Sequence, residues 1–120
     1  MSVKQVEHKG KTIVYIDYRG LTKIEQQIQN LDDVTKIVKT AKPPVLSLAN
    51  FEGISVGNDY MARVKAWGKE HQAKMGRQAL LGVTGLKSIL LHGYLTFTGE
   101  KNMKAFDSEA EAMDWLVEEA

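Results

Sequence analysis

Arg77-Gln78-Ala79-Leu80-Leu81-Gly82-Val83-Thr84-Gly85 runs into an apolar segment and is followed later by Phe106-Asp107-Ser108-Glu109-Ala110-Glu111-Ala112-Met113-Asp114-Trp115-Leu116. Ala79 to Val83 is a continuous apolar run, the pattern of a strand covered on both faces. Gly85 then starts a helix bearing Leu86, Ile89, Leu90, Tyr94 and Leu95, with Leu91 and Phe97 widening its apolar stripe. Asn102 to Phe106 predicts a last short strand. Ser108 and Glu111 match a capping box for a final helix that buries Ala112, Trp115 and Leu116.

Working toward the N-terminus, the same alternation continues. Val3 to Glu7 and Lys11 to Tyr18 are β-rich runs separated by Lys9-Gly10, where glycine supplies the positive φ of a tight hairpin. In the second run Val14, Ile16 and Tyr18 alternate with Ile13, Tyr15 and Asp17, so bulky groups point to both faces and both are expected to be covered. Leu21, Ile24, Ile28, Leu31, Val34, Ile37 and Val38 recur at helical steps behind a Thr22 to Glu25 capping-box match. Pro43-Pro44 stops that helix, and Val45 to Ala49 reads as a buried strand. Beyond a loop holding Gly53 and Gly57, Asn58 is placed to cap a helix with Tyr60, Met61, Val64 and Trp67 inside. The predicted order is β-β-α-β-α-β-α-β-α. It specifies an α/β fold, a mostly parallel mixed sheet opened by a hairpin and covered by helices.

The 120 residues fit one domain, taken as 1–120. Hydrophobic residues at 43% and charged ones at 26% are the proportions of a globular chain. Sixteen basic and fifteen acidic residues leave a formal charge of +1, so no strong global field draws the chain to nucleic acid or anionic lipid. The lack of cysteine removes disulfides, thiolate nucleophiles and thiolate metal sites. Without an apolar leader or a span-length apolar run, the expected location is the cytoplasm, with no membrane span.

The element order, the Gly82-Val83-Thr84-Gly85 turn and the Phe106-Asp107 to Trp115-Leu116 ending together resemble the SpoIIAA-like family, relatives of the STAS domains of anti-sigma-factor antagonists and sulfate-transporter tails. The resemblance spans nearly the whole chain and implies a STAS-like domain that works by binding. STAS proteins of sigma-factor circuits carry a phosphorylatable serine in an Asp-Ser-Ser-Gly type loop before the second long helix. The matching stretch here, Ile54-Ser55-Val56-Gly57, keeps one serine and the glycine but has isoleucine for the acid and valine for the second serine. The resemblance also implies kinship with CRAL-TRIO lipid-transfer domains, and with it an apolar small molecule or lipid as ligand.

Several short motifs suggest sharper chemistry, and each has a plainer explanation. Gly53-Ile54-Ser55-Val56-Gly57 is a literal G-x-S-x-G. A nucleophile elbow needs the strand to end at the turn, yet Asn50-Phe51-Glu52 intervene, and His71 and His92 fall within predicted helices rather than on loops. His8, His71 and His92 have no partner at an i, i+4 metal spacing. Gly82-Val83-Thr84-Gly85 lacks the later glycine of a dinucleotide fingerprint and the lysine of a phosphate loop. Arg63, Lys65, Lys69, Lys74 and Arg77 make the second helix and its exit basic, as a solvated face does. No catalytic set, metal or cofactor follows from these motifs.

The apolar excess on the second and third helices is greater than one sheet face requires. By itself such an excess is also what an ordinary core shows; joined to the resemblance, which implies a domain that works by binding, it leads to a non-enzymatic binding protein that holds an apolar or amphipathic small molecule between those helices. Tyr60, Met61, Val64 and Trp67 are expected to form one wall, with Leu91, Tyr94 and Leu95 opposite and Arg63 or Lys65 on a head group. The alternative is a signalling module whose loop around Ser55 docks on a protein partner.

Overall fold

Residues 3–17 establish the sheet. In a computed structural model, which describes residues 2–118, β1 (Val3–His8) and β2 (Lys11–Asp17) pair antiparallel. Lys9 and Gly10 both take positive φ, 49° and 83°, the pairing of a type I′ turn. β3 (Val45–Asn50), β4 (Met75–Leu81) and β5 (Met103–Phe106) add successively in parallel, giving the order β1-β2-β3-β4-β5. Strands that advance in one direction with right-handed crossovers must place all the crossover helices on one face. Accordingly α1 (Ile24–Thr40), α2 (Asn58–His71) and α3 (Leu86–Thr98) share one core with Val14, Ile16, Ala49 and Leu80, whereas α4 (Glu109–Val117) meets Ile13, Tyr15, Leu48, Ala79 and Leu81 on the other. The α/β fold with its N-terminal hairpin is therefore the architecture expected from the pattern.

Most strand ends differ from the pattern by one residue, and the larger departures concern β4, two helix caps and the burial of Trp115. β4 begins at Met75 and ends at Leu81 rather than running from Ala79 to Val83, because pairing of Val45 with Met75 extends the ladder backward and Gly82, at φ 73°, turns the chain out. The first capping box lies one residue later than Thr22 and Glu25: Gln26 Oε1 accepts from the Lys23 backbone N–H at 3.2 Å. Gly57, not Asn58, is the N-cap of α2. Trp115 is half-buried rather than core; it lies against Phe106, ring centroids 5.3 Å apart, with the Arg77 guanidinium 5.0 Å from its ring centre. The Ser108 cap is as expected, its Oγ accepting from the Glu111 backbone N–H at 3.2 Å.

Candidate binding cavity

Between the sheet and its three covering helices lies a cavity of about 110 Å³. Ile16, Ser47, Ala49, Gln78 and Leu80 form its floor; Leu31 and Val34 of α1 close one side. Tyr60, Met61, Val64 and Trp67 of α2 face Leu90, Leu91 and Tyr94 of α3 across it, and Phe51, Val56, Val83 and Lys87 rim one end. Six of the seven apolar residues expected to meet a ligand thus line one space. Leu95 packs against the surrounding core without lining it.

Two glycines account for the position of α3 over this space. A Cβ on Gly68 of α2 would collide with the Tyr94 hydroxyl, so the missing side chain is the room in which the phenol lies. Tyr94 thereby props α3 against α2, and the sheet below is left partly unfilled. At the other end a Cβ on Gly82 would strike the backbone of Phe51 and Glu52, so the exits of β3 and β4 approach more closely than any other residue permits.

Aromatic packing stiffens the rim. Tyr18 stacks on Phe51 with centroids 4.5 Å apart and meets Tyr60 edge-on at 5.5 Å. The Tyr60 hydroxyl donates to Tyr18 at 2.9 Å, which satisfies a polar pair inside an apolar wall. Trp67 donates its indole N–H to Thr35 Oγ1 at 2.7 Å, so its ring is held between α1 and the cavity. Burial raises the pKa of Tyr18 and of Tyr60; for Tyr94 burial and, secondarily, the nearby Glu100 carboxylate push it up to about 12. All three phenols are neutral at physiological pH. The cavity presents apolar surface, hydroxyls and one cation.

That cation is neither Arg63 nor Lys65. Arg63 is exposed and Lys65 reaches over the Phe97 ring, 5.8 Å from its centre, so neither lines the cavity. Lys87 does, with its ammonium donating to the Phe51 carbonyl at 2.8 Å. Ser47, Gln78, Met75 and Met103 also line it and carried no distinguishing mark in the sequence. Lys87 did have one signal, a single lysine in the first turn of an otherwise apolar helix.

Ser55 lies outside the cavity, exposed in the loop before α2, where its carbonyl accepts from Gln27 Nε2 at 3.4 Å. A polar hollow beside it is shaped by Thr22, Gln27, Asn58 and Asp59, and Tyr60 separates this hollow from the cavity. β3 ends at Asn50, so Ser55 is not on a strand-to-helix elbow. His8, His71 and His92 lie on β1, α2 and α3, and His8 pairs with Asp114 at 2.9 Å. That hydrogen bond, followed by the Lys9 ammonium, lowers the Asp114 pKa.

No protein-family model matches the chain, and neither does any curated protein. Solved structures do. An uncharacterized protein of the DUF3478 family with a SpoIIAA-like fold, from Shewanella loihica, superposes with a TM-score of 0.68 at 15% identity, covering 95% of this chain and 91% of that one. An anti-sigma-factor antagonist (STAS) domain protein from Planctomyces limnophilus gives 0.60 at 17% identity, over 97% and 98%. The fold is SpoIIAA-like, of the STAS type, as the sequence resemblance implied.

Proposed function

We propose that this protein is a non-enzymatic, cytoplasmic binding domain that takes up an apolar small molecule beneath α3. The carrying observation is the 110 Å³ cavity, walled by three helices and almost entirely apolar. An engineered apolar cavity of about 150 Å³ holds benzene, whereas drug-sized ligands occupy roughly 300 Å³ or more. In this conformation the space therefore suits a molecule of about one ring. A lipid tail requires α3 to lift from the sheet, and Lys87 at the rim is the group that would meet a carboxylate or other anionic head.

Titration with benzene, indole, benzoate and a medium-chain fatty acid tests this reading. Trp67 fluorescence should shift on binding while Trp115, on the opposite sheet face, does not; a Trp67→Phe variant assigns the signal. Amide exchange in α2 and α3 should slow with ligand. If no compound in the set alters either fluorescence or exchange, the cavity is packing space and the reading is wrong.

A second reading, docking of a protein partner through the loop around Ser55, is supported by that residue's exposure beside the polar hollow and by the STAS fold. Under it, Ser55→Asp alters what wild type and Ser55→Ala retain from native lysate, by placing charge near the N-terminus of α2. Identical retention by all three forms defeats it.

A further inference from the structure

Two polar residues interrupt the apolar floor of the cavity. Ser47 of β3 and Gln78 of β4 are direct partners in the parallel register, so strands roughly 4.8 Å apart bring their side chains together on the cavity face. Both are deeply buried, with 4% and 7% of their surface exposed. Buried polar groups are normally hydrogen-bonded, and one left unmet among apolar side chains is costly. Yet Ser47 Oγ and Gln78 Oε1 have no hydrogen-bond partner among the described residues, although Gln78 Nε2 does. Nor are they walled off by protein, as the unpartnered Gln72 Oε1 is. The space onto which they open is the cavity.

The orientation of the Gln78 amide follows from its other contact. Gln78 Nε2 lies 3.2 Å from Glu100 Oε2, and a carboxylate only accepts, so the amide nitrogen faces Glu100 and the amide oxygen is the free end. Glu100 itself is engaged: its other oxygen accepts from the backbone N–H groups of Lys101 and Asn102 at 3.0 and 2.8 Å. The remaining polar groups of the wall are committed elsewhere. The Tyr60 hydroxyl donates to Tyr18, Trp67 donates to Thr35, and the Tyr94 hydroxyl lies in the notch over Gly68. The floor therefore presents one fixed acceptor, Gln78 Oε1, beside the Ser47 hydroxyl, which both donates and accepts.

We infer that this pair binds the hydroxyl of a neutral, one-ring alcohol or phenol. The ligand O–H donates to Gln78 Oε1 and its oxygen accepts from Ser47 Oγ, while the ring fills the apolar space above. Other head groups fit less well. A carboxylate brings acceptors only, against Gln78 Oε1 with Glu100 behind it. An ammonium would lose its hydration with no free carboxylate to compensate. An unsubstituted ring leaves both floor groups unmet. The hydroxyl site rests on the cavity being a binding site. It is separate from Lys87, whose acceptor Phe51 lies four residues beyond Ser47, roughly 13 Å along an extended chain.

Calorimetric titration with phenol, the equal-sized toluene and the methyl ether anisole tests it. In a wholly apolar cavity phenol binds about tenfold more weakly than toluene, because its hydroxyl is buried unmet. Here wild type should bind phenol at least as tightly as toluene. Anisole, which has no O–H to donate, should bind about fivefold more weakly than phenol. Ser47→Ala and Gln78→Met should each weaken phenol roughly tenfold and leave toluene within about twofold; in the second variant Glu100 keeps its two backbone donors. The wild-type comparison of the three compounds makes the same test should either variant not fold. If wild type binds toluene more tightly than phenol, or if neither substitution weakens phenol, the cavity is a binding site and the hydroxyl site is wrong. If neither phenol nor toluene binds, the cavity reading fails and the hydroxyl site fails with it.

Discussion

The two faces of the sheet solve the same covering problem differently. On one, α4 alone, nine residues long, seals Ile13, Leu48 and Ala79, none of which retains any exposure. Ala79 on the sheet and Ala112 on the helix keep both surfaces low, so a single short helix lies close. On the other, three longer helices carry more apolar surface than the sheet can take up. Tyr94 then braces α3 on α2, and the volume left beneath α3 is the cavity. Covering area is not the same as filling space; the face with more helix is the looser one.

The largest expected effect concerns the phenols. Of the four tyrosines, Tyr18, Tyr60 and Tyr94 belong to the cavity face and Tyr15 to the α4 face. Burial is the leading cause of a raised pKa in all four; at Tyr15 the hydrogen bond from Asn50 opposes it and Glu109 adds to it. A group whose folded pKa is raised contributes stability that is fully present below its unfolded value and lost as pH climbs through the folded one. The unfolded value is about 10, and that of folded Tyr94 about 12. Stability should hold to about pH 10 and then fall, with phenolate absorbance rising only as the far-ultraviolet dichroism collapses. Ionisation of two or more tyrosines near pH 10 with the fold intact would mean that the cavity face admits water freely.

Truncation should separate the faces next. Leu116→Ala, in the closed core under α4, is expected to cost about 3 kcal/mol in urea unfolding, because the site cannot collapse. Leu91→Ala, half-buried beside an existing void, should cost roughly 1 kcal/mol. Equal losses would remove the contrast. Enlargement should run the other way: Ala79→Val overpacks the α4 face by about 1 to 3 kcal/mol, whereas Ala49→Val extends into the cavity and leaves stability unchanged or raises it by about 0.5 kcal/mol. The same Ala49→Val should weaken any cavity ligand, which ties the packing comparison to function.

How much of this was legible in the sequence follows from the same physics. Periodicity and turn chemistry report which residues are buried, so the element order, the hairpin at Lys9-Gly10, the Ser108 cap and six cavity-wall residues could all be read. They do not report whether a buried residue meets an atom or a gap. Ser47, Gln78 and Leu80 lie in strands apolar on both faces, and nothing local distinguishes the face that is underfilled. Arg63 and Lys65 were reasonable anchors on composition. Their places on α2 point them away from the space, while Lys87, alone at the start of α3, points across its rim. Trp115 illustrates the converse: its spacing matches the core, yet a nine-residue helix turns its ring to the margin, under Arg77.

The smallest expected difference lies in how the two faces' helices begin. α4 is short enough that its first turn carries a large share of its stability, and Ser108 Oγ accepts from the Glu111 N–H while donating to the Glu111 carboxylate at 3.3 Å. α3 begins at Gly85, φ 57°, with no side-chain cap, and Thr84 contributes only its carbonyl, which accepts from the Lys87 N–H at 3.2 Å. Ser108→Ala should therefore cost about 1 kcal/mol and speed exchange at Glu111 and along α4. Thr84→Ala, which keeps that carbonyl, should leave α3 as it was. Since α4 is the helix that seals its face, loosening its first turn should also loosen Leu116 and carry faster exchange into the neighbouring amides of β3 and β4. If Thr84→Ala destabilises as much as Ser108→Ala, α3 is held from its N-terminus rather than by Tyr94 against Gly68, and the account of why the cavity exists must change with it.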